Sequence, residues 1–259
     1  FDGSTPGISR FYEIANGTRY WLDNVFEALT EPNDWYLDRN SRILKFKTSI
    51  NEDLNHKSII APRLPYILKV TNASLLSFEG IRFSHTNWDS PQSAFIEEQA
   101  ADNIGEAAVQ IIGSSKIDIK NCRFRGLDSY AVEIGPGSLK NEISKNSFYD
   151  LGAGAVKVGG SKDLPTSENL IQDNLITSGG RIYPTGTAIL IKLSDKNIVR
   201  FNEIFDFFYT GISVGWHWGY GDTLAVDNQI LSNKIYKIGQ GVMSDLGGIY
   251  TLGVNGHTL

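Results

Sequence analysis

Short apolar segments recur from about residue 60 to the end of the chain, and this repeat constrains the fold more than any other feature. The segments form two sets that alternate along the sequence. The first set comprises residues 66–70, 108–111, 131–134, 155–158, 188–191, 211–214 and 248–251. The second set comprises residues 81–83, 122–124, 146–148, 174–176, 202–204 and 233–235, with first members 41, 24, 28, 28 and 31 residues apart. Such spacings indicate one coil of chain per repeat, with occasional insertions.

The order and length of these segments predict a solenoid built from β-strands. Segments of three to five residues that return in the same order, with no long helical pattern between them, suit stacked coils better than a sandwich. The strong preference for right-handed crossovers between parallel strands sets the expected handedness. We therefore predict an all-β fold, a right-handed parallel β-helix, over residues 61–259.

Residues 1–60 lack the repeat, and we predict that they form a small cap within the same domain. In residues 23–31 the apolar side chains share one helical face, so a short helix is expected there. Residues 35–38 and 43–46 are typical of a β-hairpin. A unit of this kind would cover the end of the solenoid, where the core and the strand edges are otherwise exposed.

Alternation along the first-set strands predicts which side chains leave the core. In the third of these strands, Val132 and Ile134 would point inward and Glu133 outward. The equivalent outward residues would form one stripe along a sheet: Glu133, Lys157, Leu190, Ser213 and Tyr250. We predict that Glu133, Lys157 and Tyr250 bind the ligand.

Asparagine opens four successive second-set segments, at Asn146, Asn174, Asn202 and Asn233. Stacked asparagines at inward turns can bond one another's amides and the turn backbone, which satisfies polar groups that are otherwise buried without a partner. We therefore interpret this series as a structural ladder and not as catalytic residues.

The composition excludes several classes of partner and cofactor. A net charge of -5 and an isoelectric point near 5.4 argue against nucleic acid or an anionic membrane and favour a neutral or weakly charged ligand. No apolar run approaches the roughly 18 residues that a membrane span needs, and the first residues do not resemble a secretory signal. The lone Cys122 is interpreted as a buried hydrophobic residue. The four histidines show no paired spacing, so no metal or other cofactor is predicted.

Three insertions interrupt the repeat, at residues 85–106, 161–168 and 216–228, and insertions from neighbouring coils can gather into a site. The first insertion opens with His85 and Trp88. The third carries a cluster of aromatic side chains: Trp216, His217, Trp218 and Tyr220. Flat apolar faces with polar tips suit a sugar ring, so these side chains are predicted to bind carbohydrate. The alternative is that the tryptophans only cover the sheet.

Two aspartates are candidates for catalysis. Asp245 stands between small residues in the sequence Ser-Asp-Leu-Gly-Gly, just before a first-set strand, and Asp222 lies in the aromatic insertion. A glycosidase needs two carboxyl groups, one as acid and one as nucleophile or base. Asp206 and Glu133 are weaker options. An aspartate in a turn can also serve only to cap the backbone.

Five stretches of the sequence resemble right-handed β-helix glycoside hydrolases, most nearly glycoside hydrolase family 141: residues 17–29, 31–38, 83–88, 211–220 and 241–253. The resemblance implies cleavage of α-L-fucoside or xylan-type linkages in plant polysaccharides by an extracellular or periplasmic enzyme. It also implies a catalytic role for Asp245, with the second acid in the next coil, beyond Leu259. The chain is then expected to be a fragment, and Asp222 is the other candidate partner.

Two further functions remain open at this point. A polysaccharide lyase or epimerase on the same fold would need a base beside a uronic acid, and Lys157 is the residue of the outward stripe that suits that role. A non-catalytic β-helix would bind glycans without turnover. In every case the expected partner is an oligosaccharide or polysaccharide, and no protein partner is inferred.

Overall fold

A computed structural model describes residues 16–17, 22–50, 52–56, 58–87, 97–215 and 219–259 of the chain. The chain divides into two compact units, one within residues 8–61 and one within residues 62–259. The prediction that both belong to a single domain stays a prediction.

The smaller unit contains the predicted hairpin but not the predicted helix. Strands β1 (Trp35–Asp38) and β2 (Ile43–Phe46) pair antiparallel, and a second 3-10 turn follows at Leu54–His56. Over residues 23–31 the chain forms only a 3-10 turn, Phe26–Ala28. The reason lies at Asn24, whose backbone is left-handed with φ of 54° and whose side chain bonds the backbone of Leu37 at 2.8 and 2.9 Å. The left-handed Asn24 and the extended Val25 after it, at φ of -102° and ψ of 121°, prevent a regular helix from starting there.

The larger unit is a right-handed parallel β-helix of three sheets, numbered in the order in which each coil visits them. Sheet 1 contains β3 (Leu68–Thr71), β6 (Val109–Ile112), β9 (Val132–Ile134), β12 (Val156–Gly159), β15 (Ile189–Lys192), β18 (Ile212–Gly215) and β21 (Ile249–Thr251). Sheet 2 contains β4 (Ser74–Glu79), β7 (Ser115–Lys120), β10 (Glu142–Ser144), β13 (Leu170–Gln172), β16 (Ile198–Arg200) and β19 (Gln229–Leu231). Sheet 3 contains β5 (Arg82–Ser84), β8 (Arg123–Leu127), β11 (Ser147–Leu151), β14 (Leu175–Gly179), β17 (Glu203–Phe207) and β20 (Lys234–Ile238).

The predicted fold class is therefore confirmed, and the two predicted sets of strands correspond to sheets 1 and 3. The core is formed by inward side chains stacked in columns from coil to coil. Phe83, Phe124 and Phe148 stack with ring centroids 4.9 and 4.6 Å apart. Val132 and Ile134 are fully buried, as the alternation predicted.

The predicted asparagine ladder lies at the turns between sheets 2 and 3. The Oδ1 atom of Asn174 accepts hydrogen bonds from the backbone and side-chain nitrogens of Asn146, at 2.9 and 3.1 Å. Its Nδ2 atom donates to the carbonyl oxygen of Ile143 and to Oδ1 of Asn202, both at 2.9 Å. In the coil before Asn146, the buried Cys122 holds the equivalent place, and its backbone nitrogen donates to Oδ1 of Asn146. The series is structural, as predicted.

A second ladder, which the sequence analysis missed, lies at the turns between sheets 1 and 2. It is built from Asn141, Asn169, Asn197 and Asn228, each side chain accepting from the backbone nitrogen of the one before at 3.0 or 3.1 Å. In four successive coils, two corners are thus fixed by amide side chains instead of by apolar packing alone.

Gly154 gives the first test of this packing. A Cβ atom there would lie 1.9 Å from the carbonyl oxygen of Thr187 and 2.4 Å from the ring of Tyr130. We expect Gly154→Ala to lower the free energy of unfolding by roughly 1–3 kcal/mol because the backbone must shift. Gly248→Ala is the matched control, since its Cβ would meet only Ile235, at 3.8 Å. Equal denaturant midpoints for the two variants would contradict the packing described.

Candidate functional site

The outward stripe predicted from the sequence lies on the outer face of sheet 1. Glu133, Lys157, Leu190, Ser213 and Tyr250 occupy equivalent positions in five successive strands, each paired with the next. The stripe therefore runs along the axis of the solenoid, as expected for parallel strands in register.

Part of the first insertion covers the middle of this stripe. We call residues 97–107 the covering segment. Its residues Ala100, Ala101 and Ile104 form an apolar cluster with Leu190, which is 0% exposed, and with Tyr130. Ser213, next to Leu190 in the stripe, is buried as well, so the stripe is exposed only toward its two ends, at Glu133 and Tyr250.

The same segment contacts two lysines of sheet 1. Asp102 pairs with Lys192 at 2.5 Å, and its carbonyl oxygen lies 3.5 Å from Nζ of Lys157. Lys157 also pairs with Glu133 at 3.5 Å and is only 8% exposed. The ligand-binding role predicted for Lys157 and Glu133 stays a prediction, and the ion pair and the cover above Lys157 argue against it.

The covering segment reaches coils that are distant in sequence. The hydroxyl of Tyr130 donates to the carbonyl oxygen of Ala100 at 2.7 Å, and the backbone nitrogen of Thr185 donates to Glu97 at 2.8 Å. Nε2 of Gln99 donates to the hydroxyl of Tyr209 at 2.7 Å, across 110 residues of sequence. An insertion from the start of the solenoid thereby contacts the coil before Asp245.

Asp245 lies in the loop between β20 and β21, with an exposed side chain and a left-handed backbone at φ of 55°. The hydroxyl of Tyr250 stands 3.4 Å from both of its carboxylate oxygens. The ring of Tyr209 lies 6.4 Å from the ring of Tyr250, at an angle of 41°. Asp245 and Tyr250 are therefore brought together, next to the end of sheet 1 that the covering segment leaves open.

Tyr209 is 3% exposed and remains a neutral phenol in this setting. Burial raises its pKa, and the neighbouring Tyr250 and Asp245 add to that effect, although the hydrogen bond from Gln99 opposes it. A phenol that keeps its proton offers Gln99 a hydroxyl group with which to bond.

Asp206 has a structural role instead of a catalytic one. It pairs with Arg181, and it accepts hydrogen bonds from Ser178 at 3.0 Å and from Gln240 at 2.9 Å. Burial alone would raise the pKa of Asp206, but the bonds from Gln240 and Ser178 and the charge of Arg181 lower it overall. Because Gln240 belongs to the loop that carries Asp245, Asp206 anchors that loop, and it is a structural carboxylate.

Asp222, the other predicted catalytic acid, lies at the opposite end of the sheet 1 strands from Asp245. Asp222 is exposed in the loop after β18, where the strands of sheet 1 end, whereas Asp245 precedes the start of such a strand. Within the described part of the chain no hydrogen bond or ion pair joins these two residues. Tyr220, in the same loop, is 99% exposed. The pairing of Asp222 with Asp245 stays a prediction.

The remaining predicted residues fall elsewhere. His85 follows β5 in the first coil, and its ring lies over Gly126 of sheet 3, so it is not beside Asp245. Four predicted ligand contacts lie outside the described residues: Trp88, Trp216, His217 and Trp218.

Gln99 and Tyr209 were not predicted from the sequence. Tyr209 had a usable signal, because it precedes a sheet 1 strand in the coil before Asp245, much as Tyr130 precedes β9. Gln99 had none, since nothing in a single sequence pairs residues 110 positions apart.

Among the residues that the structure describes, no group of three or more His, Cys, Asp or Glu side chains is placed to hold a metal ion. In the same part of the chain, no helix has the length and apolar character to cross a membrane.

A family described as the right handed beta helix region matches residues 107–256. A search of curated proteins found no match. Among solved structures, one named "Glycoside hydrolase" superposes with a TM-score of 0.79 and 24% identity over 89% of this chain. The match spans 47% of that protein, so this chain corresponds to about half of its length. An alginate lyase from Paenibacillus sp. str. FPU-7 aligns with a TM-score of 0.43 and 12% identity, over 73% of this chain and 74% of the lyase.

Proposed function

This chain belongs to the right-handed β-helix family, whose model matches residues 107–256, and we propose that it acts on carbohydrate as a glycoside hydrolase. The observation that carries the proposal is the placement of Asp245, an exposed carboxylate held beside the hydroxyl of Tyr250 at the open end of sheet 1. The structural neighbour named "Glycoside hydrolase" supports the same reaction class.

The proposed chemistry is cleavage of a glycosidic bond between two carboxyl groups. Asp245 supplies one of them, as acid or as nucleophile. The other is Asp222 or, as the family 141 resemblance implies, an aspartate beyond Leu259. The proposed substrates are α-L-fucoside or xylan-type linkages of plant polysaccharides, and the proposed location is extracellular or periplasmic.

A lyase or epimerase is less well supported than a hydrolase. Such an enzyme removes a proton next to a uronic acid and needs a free base for that step. Lys157 was the candidate base, but its ammonium group pairs with Glu133 and lies beneath the covering segment. A base in that position cannot reach a bound polysaccharide while the segment is in place.

Product analysis separates the three candidate functions. The protein is incubated with xylan, with fucosylated xyloglucan and with a uronic acid polysaccharide. A hydrolase releases reducing ends or free fucose without new ultraviolet absorbance, which is the result we expect. An unsaturated, ultraviolet-absorbing product would identify a lyase, and binding without any product would identify a glycan-binding protein. Either outcome would overturn the proposal.

A further inference from the structure

We propose that Gln99 is a substrate-binding residue of the Asp245 site, whose amide oxygen accepts a hydrogen bond from a hydroxyl of the sugar next to the cleaved bond. The inference rests on the proposed function and adds a contact contributed by the covering segment. It makes the first insertion part of the binding site as well as a cover for sheet 1.

The amide of Gln99 is held in one orientation. Its Nε2 atom donates to the hydroxyl of Tyr209 at 2.7 Å. Because Tyr209 is buried, this acceptor is fixed in position, and it fixes the orientation of the amide. The described residues offer no hydrogen-bond partner to the Oε1 atom of Gln99, whose side chain is half-buried. A fixed, half-buried acceptor is a group that a ligand hydroxyl can satisfy.

Gln99 is connected to Asp245 through two aromatic side chains. The rings of Tyr209 and Tyr250 lie 6.4 Å apart, and the hydroxyl of Tyr250 stands 3.4 Å from both carboxylate oxygens of Asp245. The amide and the carboxylate therefore belong to one continuous group of side chains, and we assign the amide to the sugar unit next to the cleaved bond. Aromatic rings with a flanking amide are typical of carbohydrate sites.

A purely structural role for Gln99 is not required to hold the covering segment. Asp102 already pairs with Lys192 at 2.5 Å, and Glu97 accepts from the backbone of Thr185 at 2.8 Å. The apolar cluster around Ile104 adds a third attachment. Replacing Gln99 should therefore leave the segment in place while removing the acceptor.

The test measures binding apart from turnover. Titration calorimetry with a xylan oligosaccharide and with a fucosylated xyloglucan oligosaccharide is carried out in the Asp245→Asn background. We expect Gln99→Leu to weaken binding about tenfold, the loss of one well-placed hydrogen bond. Gln99→Glu keeps an acceptor oxygen and can still bond Tyr209, so it should bind within a few-fold of the parent. Gln229→Leu, an exposed glutamine on sheet 2, is the matched control and should change nothing.

Several outcomes would overturn the proposal. Equal affinity of Gln99→Leu and the parent would do so, as would no binding of either oligosaccharide by the parent. So would equal losses in Gln99→Leu and Gln99→Glu with a lower melting temperature in both, because that pattern indicates a structural role. Failure of the proposed function has a separate signature, since the wild type would then bind the oligosaccharide but release no reducing ends.

Discussion

Asp245→Asn should lower the rate of glycoside hydrolysis by roughly 10²- to 10⁴-fold, the range found when a positioned acid or base is removed. Asparagine has the same shape as aspartate and tolerates the left-handed backbone at φ of 55°. The hydroxyl of Tyr250 keeps an oxygen acceptor in the variant. The fold should survive, so the loss would report chemistry and not unfolding. Initial rates with xylan and fucosylated xyloglucan, together with a melting curve, measure both.

Asp173→Asn is the matched control for this experiment. Asp173 is also exposed and also left-handed, with φ of 55°, but it lies at the turn between sheets 2 and 3. We expect Asp173→Asn to hydrolyse at the wild-type rate. If Asp245→Asn and Asp245→Ala both retained activity within a few-fold of the wild type, Asp245 would have no catalytic role.

Asn174→Ala should lower the free energy of unfolding by roughly 3–5 kcal/mol, because each buried polar group left without a partner costs about 1–3 kcal/mol. The substitution removes four hydrogen bonds, with the backbone and side chain of Asn146, with Ile143 and with Asn202. The orphaned groups belong to two neighbouring coils and are buried. Chemical denaturation followed by circular dichroism would measure the change.

Asn233, at the end of the same ladder, provides the control for Asn174→Ala. Asn233 makes the equivalent bonds to Asn202 and Val199, but its side chain is only half-buried. Water can replace part of what Asn233→Ala removes, so this variant should lose clearly less stability than Asn174→Ala. A larger loss at Asn233 would mean that the ladder does not stabilise the coils through burial.

Sheets 1 and 3 were predictable because their strands repeat a strong local pattern. In most strands of sheet 1 two inward aliphatic residues flank an outward one, as Val132 and Ile134 flank Glu133. Sheet 2 was missed because a strand such as Glu142–Ser144 has a single apolar inward residue, Ile143, between polar neighbours. Three residues with one apolar side chain do not stand out from a turn.

The candidate site was predictable where its parts are close in sequence. Asp245 and Tyr250 are five residues apart, so the strand that carries one also places the other. The cover over Lys157 was not predictable, because it depends on how the chain folds back between residues 97 and 107. The lysine keeps its outward orientation from the alternation, but its exposure is decided by tertiary packing.

The covering segment also changes how the solenoid opens. In a stack of coils each repeat contacts only its neighbours, so such proteins tend to fray one coil at a time from either end. Residues 97–107 bond Tyr130, Lys157, Thr185 and Tyr209, which belong to four successive coils. Each of these coils can therefore detach only by breaking its own contact with the covering segment. The covering segment therefore links four coils that would otherwise open one at a time. The loop that carries Asp245 adjoins the last of these four coils.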